Sequence, residues 1–292
     1  MKISQILQQD GYRLSFEVFP PKKSTGLENV RRATEEIAKL GPSFVSVTYG
    51  AGGGTSDFTL DIAKNIKEQT GVPVLAHVTC VSSSKEKVAG YIEALKESGI
   101  ENVMALRGDL TPEMEGQDRS GWDYRNAYQL VEELKAAGDF CIGGACYPEV
   151  HPESSCRNED LLHLKEKVKA GCDFLTTQMF FDNDLFYSFL YRVRDIGIDV
   201  PVIPGIMPIT NANQVEKALN LSGCHMPIRF TSLVDRFGSN AAAMQQAGII
   251  YATEQIIDLF ANGVRNVHVY TMNKPEVAAG ILNNVSAILN VK

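Results

Sequence analysis

No stretch of this 292-residue chain approaches the roughly 20 consecutive apolar residues of a membrane-spanning helix. Its first residues, MKISQILQQDGYRL, lack the apolar run of a secretory leader, so a cytoplasmic protein is expected. Positive charge is in short supply, with 28 Lys and Arg against 35 Asp and Glu and a net charge of −7. A broadly basic nucleic-acid binder is thereby excluded. The six cysteines form no C-x-x-C, which removes a zinc pair and a thioredoxin-like motif. Without a leader, the thiols are expected to stay reduced. The five histidines lack metal-ligand spacing, and no metal is expected. There is no Gly-Lys of a P-loop, no H-E-x-x-H and no G-x-S-x-G. No linker, low-complexity tract or shift in composition divides the chain, so residues 1–292 are expected to form one domain.

What is present is a series of short apolar runs with helical patterns between them. The runs are LSFEVF (14–19), FVSVTY (44–49), VLAHVTC (74–80), VMAL (103–106), CIGGACY (141–147), FLTTQMFF (174–181), VPVIPGIM (200–207) and VHVYTM (267–272). Runs this short, apolar throughout and bounded by Gly, Pro or Asp read as buried parallel strands. Thr25-x-x-Glu28, Ser83-x-x-Glu86 and Asn211-x-x-Gln214 have the spacing of helix starts. Gly41, Gly71, Gly99, Gly138, Gly171 and Gly197 each follow a helical pattern, where a left-handed cap favours glycine. Eight such units predict an α/β fold, a (β/α)8 barrel, with extra helices before the last strand. A doubly wound sheet is the structural rival. The glycine-rich loop 50–55 invites a dinucleotide reading, but Thr55 stands where the fingerprint needs glycine, so a turn at the barrel mouth is expected.

In such a barrel, chemistry sits at the carboxyl ends of the strands. Those ends carry Glu17, Thr48, His77, Arg107-Gly108-Asp109, Tyr147 to His151, Gln178, and Tyr270 to Lys274. So many polar groups at one end are costly to bury unless they bind something.

Six motifs now stand in order: FEVFPP (16–21), VSVTYG (45–50), ALRGD (105–109), YPEVHP (147–152), TQMFFD (177–182) and IPGIMP (203–208). Together they resemble the methylenetetrahydrofolate reductase family of the bacterial, single-domain type, over nearly the whole chain. The resemblance implies a flavin-containing barrel. It implies reduction of 5,10-methylenetetrahydrofolate to 5-methyltetrahydrofolate by ping-pong hydride transfer through FAD from NAD(P)H, in a homo-oligomer. Where some members place a phenylalanine on the helix after Gln214, this chain has Ala218 and Leu219, so another electron donor, including a redox partner protein, stays open. Two rivals also remain: a flavin-free pterin-dependent methyltransferase barrel, and a non-catalytic or partner-dependent flavin subunit.

The chemistry needs an acid. The methylene bridge resists hydride until N10 is protonated and an N5 iminium opens. Glu17, flanked by Phe16, Val18 and Phe19, is shielded enough to hold a proton for delivery, and it matches the family's acid. Its bland alternative is a pairing with a barrel Lys or Arg. Asp109 is implied to lie by the flavin pyrimidine and touch the pterin; otherwise it is a helix N-cap. Gln178 suits a pterin edge or a nicotinamide amide, or is a satisfied core amide. Gln214 and Lys274 match two further folate contacts, although Lys274 also reads as a solvated loop lysine. FAD would use Thr48, His77, Arg107, Gly108, Asp109, Tyr147, His151, Asp160, His163 and Lys167. The last three are spaced i, i+3, i+7 on one helix face, which by periodicity alone is a solvated face.

Overall fold

Nine short parallel strands form one sheet among the described residues. They are β1 (Arg13–Val18), β2 (Val45–Val47), β3 (Val74–Thr79), β4 (Asn102–Leu106), β5 (Cys141–Cys146), β6 (Phe174–Thr177), β7 (Val202–Ile203), β8 (Gly205–Ile206) and β9 (Asn266–Tyr270). The structure is a computed structural model, and it describes residues 1–21, 23–49, 56–110, 114, 116 and 118–291, without the side chains of Ser56 and Asp57. The expected loop 50–55 lies outside the described residues, as do parts of the stretch 112–124.

The sheet order is β7-β6-β5-β4-β3-β2-β1-β9-β8. Its two ends are the halves of one strand. β7 pairs with β6 through Leu175 and Val202, while β8 pairs with β9 through Gly205 and His268. Pro204 stands between the halves. It has no N–H to give, but its carbonyl accepts from His268 N at 2.9 Å, so the seventh strand changes partner at the proline. The ring closes, and the expected (β/α)8 barrel replaces the doubly wound rival.

The helices are α1 (Ile3–Leu7), α2 (Leu27–Ala38), α3 (Ser56–Thr70), α4 (Lys85–Glu97), α5 (Ala127–Ala137), α6 (Arg157–Ala170), α7 (Asn183–Asp195), α8 (Asn213–Ser222), α9 (Ile228–Phe237), α10 (Ala241–Ala261) and α11 (Pro275–Leu289), and all but α1 surround the sheet. Helices α8 to α10 are the extra ones before the last strand. Leu14, Phe16 and Val18 face this shell with Val45, Val47, Val74, Ala76 and Val78. Alternation then points Ser15, Glu17, Ser46 and His77 into the barrel. The short α1 plugs the barrel's amino-terminal end, where Ile3, Ile6 and Leu7 pack on Phe44, Leu75, Met104 and Phe174.

Two local expectations need correction. The box starts shift: Thr25 lies in a 3₁₀ turn with no side-chain cap on α2, and Ser84, not Ser83, caps α4 by accepting from Lys87 N. Of the six cap glycines, five have φ between 62° and 127°, but Gly138 has φ 169°, ordinary extended backbone.

Candidate active site

Inside the barrel, near the carboxyl ends of β1, β2, β3 and β9, lies a buried polar cluster. Glu17 is 7% exposed. Its Oε2 accepts from Ser46 Oγ at 3.2 Å. Ser46 Oγ also meets His268 Nε2 at 2.9 Å, and His268 Nδ1 meets Ser15 Oγ at 2.7 Å. The strand register dictates these neighbours, because Glu17 sits opposite Ser46 and Ser15 opposite His268. The alternative of a Glu17–Lys or Glu17–Arg pair is not what forms; the only charged-type partners shown for Glu17 among the described residues are imidazoles.

His77 Nε2 lies 3.5 Å from Glu17 Oε2, yet it is buried without a hydrogen-bond partner. Burial pushes this imidazole down from its ordinary 6.5 to about 4, which the nearby Glu17 opposes only in part. The ring is therefore neutral at neutral pH, and the contact is not an ion pair. The unfolded chain takes up this proton near 6.5, the folded chain only near 4. The unfolded state binds more protons between those values, so this contribution to stability is whole above 6.5 and lost as pH falls towards 4. Urea midpoints measured across that window should fall with pH in the wild type, and fall less steeply in His77→Gln.

The carboxyl ends of β4 and β5 hold a second group. Gly108 has φ +92°, and a Cβ there would come within 2.8 Å of Val81 Cγ1, so the turn requires glycine. Arg107 makes a two-pronged ion pair with Glu153, and its Nε reaches Gly108 O at 3.1 Å. Asp109 is exposed, and among the described residues it caps no helix. Tyr147 and His151 meet ring edge to face, with centroids 4.6 Å apart. Burial, reinforced by Asp109, pushes the Tyr147 hydroxyl up to about 12, and burial lowers His151 with help from Arg107. Asp160 Oδ2 accepts from His151 N at 3.3 Å. Lys167 Nζ crosses over Gly144 to Ala145 O at 2.6 Å. His163 is exposed, so the helix trio divides: Asp160 and Lys167 turn towards β5 and His163 does not join them. Thr48 follows β2, with its N–H on Val18 O.

A third group forms the far rim. Lys274 Nζ donates to Thr210 Oγ1 at 2.9 Å, and Gln214 Oε1 accepts from Thr210 N at 2.8 Å and Asn211 N at 3.0 Å. Lys274 and Gln214 thus meet through Thr210, and Lys274 is not a free loop lysine. Gln178 follows β6; its N–H bonds Cys146 O, and its Oε1 accepts from Met179 N at 3.0 Å. Ala218 is fully buried, whereas Leu219 is exposed.

Sequence reasoning missed Ser46 and His268. The signal was present: both are polar at alternate positions of otherwise apolar runs.

Taken together, the geometry defines a closed parallel barrel whose mouth is ringed by polar groups around one buried acid. Its sequence profile settles the family: the chain belongs to the methylenetetrahydrofolate reductases, whose profile matches residues 2–286. It is 37% identical to 5,10-methylenetetrahydrofolate reductase of Pectobacterium carotovorum, covering 95% of this chain and 91% of that one. It is also 37% identical to methylenetetrahydrofolate reductase (NADH) 1 of Zea mays over 98% of this chain. The chain spans about half the length of that plant relative, 51%. Among solved structures, a Clostridium thermocellum protein described as binding two copies of 5-methyl-5,6,7,8-tetrahydrofolic acid superposes with a TM-score of 0.66 at 16% identity, covering 98% of each chain. At that identity the likeness shows the barrel alone.

Proposed function

We propose that this chain reduces 5,10-methylenetetrahydrofolate to 5-methyltetrahydrofolate in the cytoplasm, with FAD as its cofactor and NAD(P)H as donor. The observation that carries the reading is Glu17, a buried carboxyl inside the barrel of a chain that belongs to this family. Bound FAD would supply the hydride that reduces the folate. Glu17 delivers the proton that opens the five-membered ring at N10. Ser46 fixes the carboxyl by its hydrogen bond, so the acid points one way when substrate arrives. His77 beside it is neutral and brings no positive charge to the carboxyl. Asp109 places a negative charge at the mouth, favouring the cationic iminium.

The donor set fits an anionic dinucleotide-like cofactor along β2 to β5. Arg107 and Lys167 provide cations, Tyr147 and His151 an edge-to-face ring pair, and Gly108 a backbone with no side chain in the way. Thr48, His77 and Asp160 complete that side, with His163 at its exposed margin. Gln178, Gln214 and Lys274 lie on the folate side. The relative named for NADH favours a nicotinamide donor.

The test is an anaerobic visible spectrum of the purified protein before and after 5-methyltetrahydrofolate. A yellow protein that bleaches is expected, since this runs the folate half-reaction backwards without the donor. A protein that stays colourless after incubation with FAD would overturn the reading in favour of the flavin-free barrel. A yellow protein that does not bleach would favour a partner-dependent subunit.

A further inference from the structure

The loop 147–151 carries three neighbouring features, two of them costly. Val150 has φ +89°, a left-handed conformation that a β-branched residue almost never adopts. Beside it, Glu149 Oε1 is buried without a hydrogen-bond partner. Its other oxygen, Oε2, accepts from His225 N at 2.6 Å, in the segment that follows α8. Costs of this kind persist only where surrounding contacts over-determine the conformation, and they gather at sites of function. Here the contacts can be named. Glu149 anchors one side of Val150 to His225, and Asp160 holds the other side through His151 N. Between the two anchors the chain reverses, with Val150 N on Tyr147 O at 3.4 Å. That reversal is what folds the His151 ring back onto Tyr147.

We propose that Glu149 is a positioning residue: its carboxylate clamps the loop to the segment after α8, holds Val150 left-handed, and so presets the Tyr147–His151 ring pair for the cofactor. The consequence for the cofactor rests on the flavin reading above. The clamp itself does not. Asp182, His225 and Cys224 are ionisable neighbours of Glu149, and burial shifts its carboxyl above the usual carboxylate range. A neutral amide should serve as well as the acid, because the bond to His225 N needs only an acceptor.

The experiment uses the 292-residue protein, stripped of flavin, in four forms: wild type, Glu149→Gln, Glu149→Ala, and Glu149→Ala with Val150→Gly. FAD affinity is read by fluorescence titration, and loop order by hydrogen exchange without FAD. Glu149→Ala should weaken FAD roughly tenfold. Glu149→Gln should stay within twofold of wild type, about the spread a conservative acceptor swap allows. Val150→Gly should recover part of the loss, because glycine takes this φ without strain, and strain relief exceeds the freedom it adds. In hydrogen exchange, Glu149→Ala should speed peptides covering 147–152 and 223–227 together. Unchanged FAD affinity in Glu149→Ala, an equal loss in Glu149→Gln, or no recovery by Val150→Gly would overturn the proposal. If wild type binds no FAD, the flavin reading fails, and exchange alone decides: coupled loss of protection upholds the clamp, and unchanged protection refutes it.

Discussion

Glu17→Gln should keep bound flavin reducible by the donor while folate turnover falls roughly 10²–10⁴-fold, the usual worth of a positioned acid. Glutamine has nearly the same volume, and its carbonyl still accepts from Ser46 Oγ. The Ser46–His268–Ser15 chain should then survive, and with it the barrel interior. What the substitution removes is the O–H proposed to protonate N10. The two half-reactions separate the effects cleanly. Under anaerobic stopped flow, flavin reduction by NAD(P)H should run near the wild-type rate, and reoxidation by 5,10-methylenetetrahydrofolate should stall. Normal reoxidation would remove the acid role from Glu17. Slowing of both halves alike would assign it a structural role instead, since no proton delivery is needed for the donor step.

The strands were legible because a parallel barrel buries both faces, so each strand announces itself as an apolar run. The seventh run was legible as one strand, but its change of partner at Pro204 was not, since that follows from closure of the ring. Helix α1 has only five residues, too few for a periodic pattern, and its role depends on the cavity it plugs. Glu17 stood out as a lone acid in an apolar run. His268 and Ser46 stood out less, because a buried histidine or serine is ordinary until its partner is known. That partner is 253 residues away for the His268–Ser15 pair, and only the pairing of β1 with β9 brings them together. The i, i+3, i+7 spacing put Asp160, His163 and Lys167 on one face, but spacing is blind to what that face meets. Lys167 is drawn in because Gly144 leaves room for its stem, while His163 stays exposed.

Gly248→Ala should destabilise the protein by about 2 kcal/mol or more, although helix propensity alone predicts a gain of about 1 kcal/mol. Gly248 lies inside α10, where alanine is ordinarily the better residue. A Cβ there, however, would sit 1.8 Å from Ile209 O and 2.7 Å from Ile209 C. Both are backbone atoms, so no rotamer change relieves the clash, and helix and loop must part. Gly90 in α4 supplies the control: it is exposed, with nothing within 4 Å of its Cβ position. Gly90→Ala should show the propensity gain undisturbed, at most about 1 kcal/mol. Opposite signs in the two urea titrations are the expected result, and a gain at both positions would mean that α10 does not press on the Ile209 backbone. The displaced loop also has a readout in catalysis. Thr210 follows Ile209 and joins Lys274 to Gln214. A shift there should raise KM for the folate more than it lowers kcat, because Glu17 stands on β1, outside the disturbed contact. A fall in kcat at unchanged KM would place Thr210, Gln214 and Lys274 away from folate binding.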